Sequence, residues 1–327
     1  MISRVADHCF WFGRYLERAE STARLLATTH NLALDAELEP AQCWRPVIVV
    51  AGEEDHYRTR VVEGAPDGEG LGEAAWGDGE RVERFMTWAE DSGTSIRASV
   101  RGARWNARSI REVVSLEAWE AVNELHLWLA GDASDAEWRT ERHEFYKRVR
   151  SLTQLSLGLL RSTMLHEEPL DFIWLGVLLE RTSQTARILD VHHHAFTHLG
   201  DRHEIVETSL WLSLLRSLSG YEPFMKRQQG RVSPEAVARF LVGEARFPRS
   251  IAYCVHSAHE RLCEIRPPDA HDRPGGQTLE RLRVLDAWVQ GRRADLDHDV
   301  HEILTHVVDE TAAICEHLGR ELLGYDP

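Results

Sequence analysis

The chain lacks any apolar run approaching the roughly 20 residues that a membrane-spanning helix needs. Its first residues show no basic stretch followed by an apolar one, so no secretory leader and no membrane association are expected. Cysteine is scarce and odd in number: Cys9, Cys43, Cys254, Cys263 and Cys315 are widely spaced, with no CxxC. That pattern argues against a zinc knuckle or a disulfide framework and fits reduced thiols in cytoplasm. Positive charge is also short. A net charge of −15 works against general nucleic-acid binding, which needs a basic face for phosphates. Strand signals are nearly absent, VIVV at 47–50 being the one β-branched cluster. No P-loop, GxGxxG or GxSxG occurs, which removes the commonest nucleotide and acyl-transfer signatures.

What is present is a helical sentence written twice. Residues 9–28 read CFWFGRYLERAESTARLLAT and residues 172–191 read FIWLGVLLERTSQTARILDV. Setting Glu17 over Glu180 also matches Trp11 with Trp174, Gly13 with Gly176, Arg18 with Arg181, Arg24 with Arg187 and His30 with His193. Further on, VERFMTWAEDSGTSI (82–96) resembles VARFLVGEARFPRSI (237–251), with Ser95-Ile96 over Ser250-Ile251. The first copy carries an acidic, glycine-rich insertion between Arg60 and Val82, read as a surface loop. These matches predict an all-α protein: two homologous helical-bundle halves from an internal duplication, at 1–150 and 165–327, packed as one unit. Hydrophobic residues at 43% and charged residues at 28% suit such a globular chain, and its 11 tryptophans read as core and helix-packing residues.

Periodicity predicts helices at 2–30, 40–57, 80–90, 95–113, 116–130, 135–164, 170–198, 204–219, 234–243, 248–264, 277–291 and 296–323. Ser233 before Pro234, Ser115, and Ser134 with Glu137 at capping-box spacing mark starts. Gly131, Gly220 and Gly230 mark ends.

In the first ER helix, Phe12, Leu16, Ala19, Ala23 and Leu26 form the core stripe, while Gly13, Glu17 and Arg24 share another face beside Glu20. A mid-helix glycine costs up to about 1 kcal/mol relative to alanine, so one in each copy implies close approach of a backbone or a ligand. Two readings of Glu17 and Glu180 follow. They accept hydrogen bonds from arginines across the two halves and fix the docking, or they meet in one groove that binds a cation, an amine or a substrate. The first is favoured. Neither helix carries Glu-x-x-His, which argues against a di-metal centre. Groove candidates are Gly13, Glu17, Arg18, Arg24, Gly176, Glu180, Arg181 and Arg187, with His30 and His193.

Three further constellations stand out. Arg97, Arg101, Arg104 and Arg108, with Arg111, line one side of a helix as a salt-bridged face or an anion site. His194 and His198 have the i, i+4 spacing of metal ligands, but no acidic residue accompanies them, so a solvated cluster with His192 is the preferred reading and no metal or other cofactor is expected. His298, His301 and His306 near the last helix are read as surface or interhelix residues. Cys9 has no evident histidine partner, which leaves a thiol nucleophile unsupported.

Taken in order, SRVA, GRYLERAESTAR, SIRASVRGARWNARSIREVVSLEAWEAVN, LERTSQTARILDV, FPRSIAYCV and DVHEIL resemble the bacterial alpha-E domain proteins over essentially the whole chain. The resemblance implies an all-helical fold with an E-R signature. It also implies a genomic setting: members are typically encoded beside, or fused to, a circularly permuted ATP-grasp protein, often near a transglutaminase-like protein and a proteasome-like peptidase. The expected role is therefore an accessory or substrate-presenting component of an ATP-grasp-type peptide or amide ligase system, with that ligase as partner and a peptide or amino acid as substrate. The alternative is an enzyme using the paired glutamates itself. The stretch HHHAFTH departs from the family pattern.

Overall fold

A computed structural model describes the chain except residues 36–37, 64–71, 73, 198–203, 229–231, 271, 293–299 and 326–327. Among the described residues the structure is helical, with no strand. The first part comprises α1 (Ser3–Asp35), α2 (Pro40–Ala51), α3 (Glu54–Tyr57), α4 (Ala74–Gly77), α5 (Gly79–Trp88), α6 (Ile96–Ser109), α7 (Leu116–Ala130), α8 (Asp132–Thr140) and α9 (Arg142–Thr163). The second comprises α10 (Glu168–Thr197), α11 (Glu204–Ser217), α12 (Tyr221–Arg227), α13 (Pro234–Gly243), α14 (Ile251–Ile265), α15 (Gly276–Gly291) and α16 (Val300–Leu318).

The long helices α1 and α10 share the largest interface and form the centre of the molecule. Each opens a ring of four helices. Helix α1 packs on α6, α6 on α7, α7 on α9 and α9 back on α1; α10, α14, α15 and α16 repeat that circuit. The two rings are four-helix bundles that meet along their first helices. Helix α2 crosses over to touch α10, and α11 crosses to touch α1. Both central helices are buried around most of their circumference, as a helix between two bundles must be. Phe12, Leu16, Ala19, Ala23 and Leu26 are fully buried, as their spacing predicts.

Several helix starts follow from capping. The Ser233 hydroxyl accepts from the Ala236 N–H and Ser115 from that of Ala118. Ser134 corrects its sequence reading. Helix α8 begins before it, with Gly131 at the cap, and the Ser134 hydroxyl donates backwards to the carbonyls of Leu129 and Gly131. Two predicted helices are each divided, 40–57 at Gly52 and 135–164 at Glu141. The predicted end at Gly230 lies outside the described residues, as does His298.

Ser95 and Ser250 hold corresponding turns. Each hydroxyl caps its helix, accepting from Ala98 or Tyr253, and donates at 2.6 Å to a carbonyl, of Ala89 or Glu244. Both side chains are fully buried. Ser250→Ala is expected to lower stability by about 1–2 kcal/mol in chemical denaturation, because a buried carbonyl and a helix N–H lose their partner together.

Candidate functional site

The sequence-predicted groove is a closed crossing. Gly13 of α1 lies against α10 so tightly that a Cβ there would sit 2.0 Å from the Ile173 carbonyl oxygen. Gly176 of α10 does the same toward α1, its Cβ position being 2.1 Å from the Phe10 oxygen. The close approach expected at these glycines is therefore backbone to backbone, and the space a ligand would need is filled by the partner helix.

One turn beyond each glycine stands its glutamate, and the two ER pairs exchange partners across the crossing. The Arg181 Nε and Nη2 donate to Glu17 at 3.0 and 2.7 Å. The Arg18 Nε and Nη2 donate to Glu180 at 2.7 and 3.0 Å. Both are bidentate, the geometry for which a guanidinium fork is built. Each carboxylate also takes a second guanidinium. Arg249, from the turn before α14, donates to Glu17 at 2.8 Å, and Arg14, one turn ahead of Arg18 on α1, donates to Glu180 at 2.8 Å. The outer ends of the two ER arginines are fixed alike, Arg18 to the Gly93 carbonyl at 2.9 Å and Arg181 to that of Pro248 at 3.1 Å. Thr22 and Thr185 donate to the carbonyls of the next residues, Thr94 and Arg249.

Glu17 is 0% exposed and Glu180 3%. Burial alone would raise a carboxyl pKa; here the guanidiniums of Arg181 and Arg249 overcome it and hold Glu17 down at about 2. Arg18 and Arg14 likewise overcome burial and hold Glu180 well below the ordinary carboxylate range. Both side chains are anions at neutral pH, with no proton to give and their lone pairs engaged. Glu20, one turn from Glu17, completes the network: it accepts from Arg24, from Arg249 at 2.7 Å and from Gln154 of α9 at 3.0 Å.

The remaining sequence candidates fall elsewhere. His30 lies 3.4 Å from Glu83, in a separate network where Glu83 also receives Arg142 and the Tyr146 hydroxyl. His193 packs edge-on against Trp211 with ring centroids 5.7 Å apart. Neither reaches the crossing. Arg187 lies beside Gly52, its Nη1 3.3 Å from where a Cβ on that residue would be. On α6, Arg97 and Arg101 pair with Glu90, Arg104 binds Asn123 and lies over the Trp119 ring, and Arg108 is exposed; Arg111, in the turn after α6, lies over the same Trp119 ring. His194 is exposed near the end of α10, and His198 lies outside the described residues. His301 contacts Asp190 at 2.7 Å, and the His306 ring packs on Trp288. Among the described residues, no group of three His, Cys, Asp or Glu side chains could hold a metal ion. Burial, with a smaller push from Glu112, raises the Cys9 thiol to about 12, far from a reactive thiolate.

Sequence reasoning missed Arg14, Arg249 and a surface pocket beside the crossing. The pocket, about 460 Å³, is lined by Tyr15, Asp91, Gly93, Arg101, Trp105 and Asn106. Trp105 is 64% exposed on its rim. Along α6, Arg101, Trp105 and Arg108 fall at i, i+4 and i+7 and form one exposed stripe.

No helix among the described residues is long and apolar enough to cross a membrane. No solved structure matches the chain. Uncharacterised proteins of Mycobacterium bovis and of two Mycobacterium tuberculosis strains are each 22% identical to it over 334 residues. The alignments cover 95% of this chain and 36% of each relative, so the chain spans about a third of the length of the proteins it matches. The Alpha-E model, described as a predicted alpha-helical domain with a conserved ER motif, matches residues 1–323. The chain, whose central helices carry the Glu-Arg pairs at 17–18 and 180–181, belongs to the Alpha-E family.

Proposed function

We propose that this protein is an accessory component of an ATP-grasp-type amide or peptide ligase system, which binds the ligase or presents its peptide or amino-acid substrate, and that it acts in the cytoplasm. The observation that carries this reading is the closed exchange of Glu17 and Glu180 with four guanidiniums. A general acid must hold a proton near neutral pH, and a general base must have a lone pair aimed at substrate. These two carboxylates have neither, which favours a structural role over the alternative of acid–base catalysis. The five free cysteines suit a reducing compartment. The much longer mycobacterial relatives support a fold that works alongside other segments of a polypeptide.

The stripe Arg101–Trp105–Arg108 on α6 is the proposed docking face, since tryptophan and arginine dominate the energetics of protein interfaces. The test is co-purification of the intact chain with the circularly permuted ATP-grasp protein of its source, together with ATP consumption by that protein. The expected result is a complex that Trp105→Ala weakens by about 2 kcal/mol or more, with the melting temperature of the isolated chain unchanged. Failure of the two proteins to associate would remove this reading. Turnover by the isolated chain that disappears in a folded Glu17→Gln variant would replace it with the catalytic one.

A further inference from the structure

Beside the crossing, buried guanidiniums outnumber the carboxylates that face them. Glu17 and Glu20 are shared among Arg24, Arg181 and Arg249. Arg150 of α9 adds a fourth cation. It stands one turn before Gln154, whose amide donates to Glu20, so it lies beside the same cluster. No ion pair engages Arg150 among the described residues. The Nε of Arg24 and the Nε of Arg150 are both buried without a hydrogen-bond partner, and Arg24 is only 3% exposed. Across the crossing the pattern differs: the Nε of Arg14 and that of Arg18 both donate to Glu180.

A surplus of buried, incompletely bonded cations is costly unless an anion completes it. Two features point to such an anion. Arg24 donates to the Ser219 hydroxyl, and Ser219, at φ 55°, is the left-handed residue that closes the end of α11, where its own N–H reaches the Arg216 carbonyl and that of Gly220 the Leu215 carbonyl. Accepting from Arg24 leaves the Ser219 O–H to donate to another group. The cluster also has an outlet, because Gln154 is exposed and Arg150 half-buried. Burial and the neighbouring Arg249 both work against the charge on Arg150, a penalty that a bound anion would relieve.

We propose that Arg24, Arg150 and Ser219 form a binding site for an oxyanion, a phosphate or a carboxylate, on the Glu20 side of the crossing. Guanidinium forks and a hydroxyl can donate to the oxygens of either group. The site is independent of any ligase partner and is tested on the chain alone.

The experiment is calorimetric titration of the intact chain with inorganic phosphate and, separately, with succinate, at constant ionic strength balanced with chloride. The expected result is saturable binding of at least one anion, weakened about tenfold or more by Arg150→Gln, the loss of one charge-assisted contact. Without added anion, Arg150→Gln is expected to melt at or above the wild-type temperature, since it removes a half-buried charge that has no ion-pair partner among the described residues; a purely structural arginine would melt lower. Binding of phosphate alone identifies a phosphoryl ligand, and binding of succinate identifies a carboxylate such as a peptide C-terminus. The proposal is overturned if neither anion binds saturably, or if Arg150→Gln and Arg24→Gln both bind as tightly as wild type.

Discussion

Gly13→Ala is expected to destabilise the protein by about 3 kcal/mol or more in urea denaturation, against the direction of helix propensity. Propensity alone favours alanine by up to about 1 kcal/mol in a helix interior. The new methyl, however, would stand 2.0 Å from the Ile173 oxygen, 2.9 Å from its carbonyl carbon and 3.2 Å from the Val177 nitrogen. All three are backbone atoms of a helix and have no rotamer to escape into. The two central helices must separate, and the Glu–Arg bonds one turn away lengthen with them. Gly176→Ala meets the Phe10 oxygen at 2.1 Å and the Arg14 nitrogen at 3.2 Å, so the same result is expected. The double variant should cost less than the sum, since both methyls force one displacement. Gly158→Ala, in α9, is the control. Nothing lies within 4 Å of its Cβ position, and it is expected to gain up to about 1 kcal/mol. Equal stability of Gly13→Ala and Gly158→Ala would show that the crossing is not packed as described.

Glu17→Gln and Glu180→Gln should each cost about 3–5 kcal/mol, because a neutral amide leaves two guanidiniums buried without their counter-charge. A pH signature accompanies this. Glu17 is held at about 2 in the folded chain, below its ordinary value of 4.5. A depressed folded pKa means that the stabilisation is complete above the unfolded value and is lost as pH falls. The loss therefore runs from about pH 4.5 down to about pH 2, and amounts to about 3 kcal/mol for this side chain. Melting temperature should fall steeply over that window in the wild type. Glu17→Gln, already less stable, should fall less. A variant that kept the full acid slope would place its origin in other carboxylates.

Much of this arrangement is legible in the sequence. Repetition places Gly13 with Gly176 and Glu17 with Glu180, and helical period turns each pair to a shared face. Two small residues and two ionic pairs at matched positions can be satisfied together when the helices cross there. Arg249 and Arg14 were not legible for different reasons. Arg249 arrives from a turn distant in sequence, where no periodicity reports direction. Arg14 sits on the same helix as Arg18, and its role depends on how α1 is rotated about its axis, which neighbours decide. The matched pair Arg24 and Arg187 shows the limit of reading by alignment. Arg24 has Glu20 one turn before it, whereas Arg187 has Ser183, and the two guanidiniums end in different surroundings. His30 and His193 likewise lie several turns beyond the crossing, one against Glu83 and the other against Trp211. Ser134 carried the right spacing for a cap, but a neighbouring glycine took that position and left the hydroxyl to donate backwards.

The exchange of partners has a consequence for how the chain is held together. The instructions that match one bundle to the other, a notch for each backbone and a guanidinium for each carboxylate, reside in the seam and not in the connection. That connection is the turn at 164–167, where Leu165 is 75% exposed. A chain nicked there would leave two fragments, each carrying half of a complementary code. Such fragments would behave as an obligate heterodimer, pairing with each other in a single register and polarity.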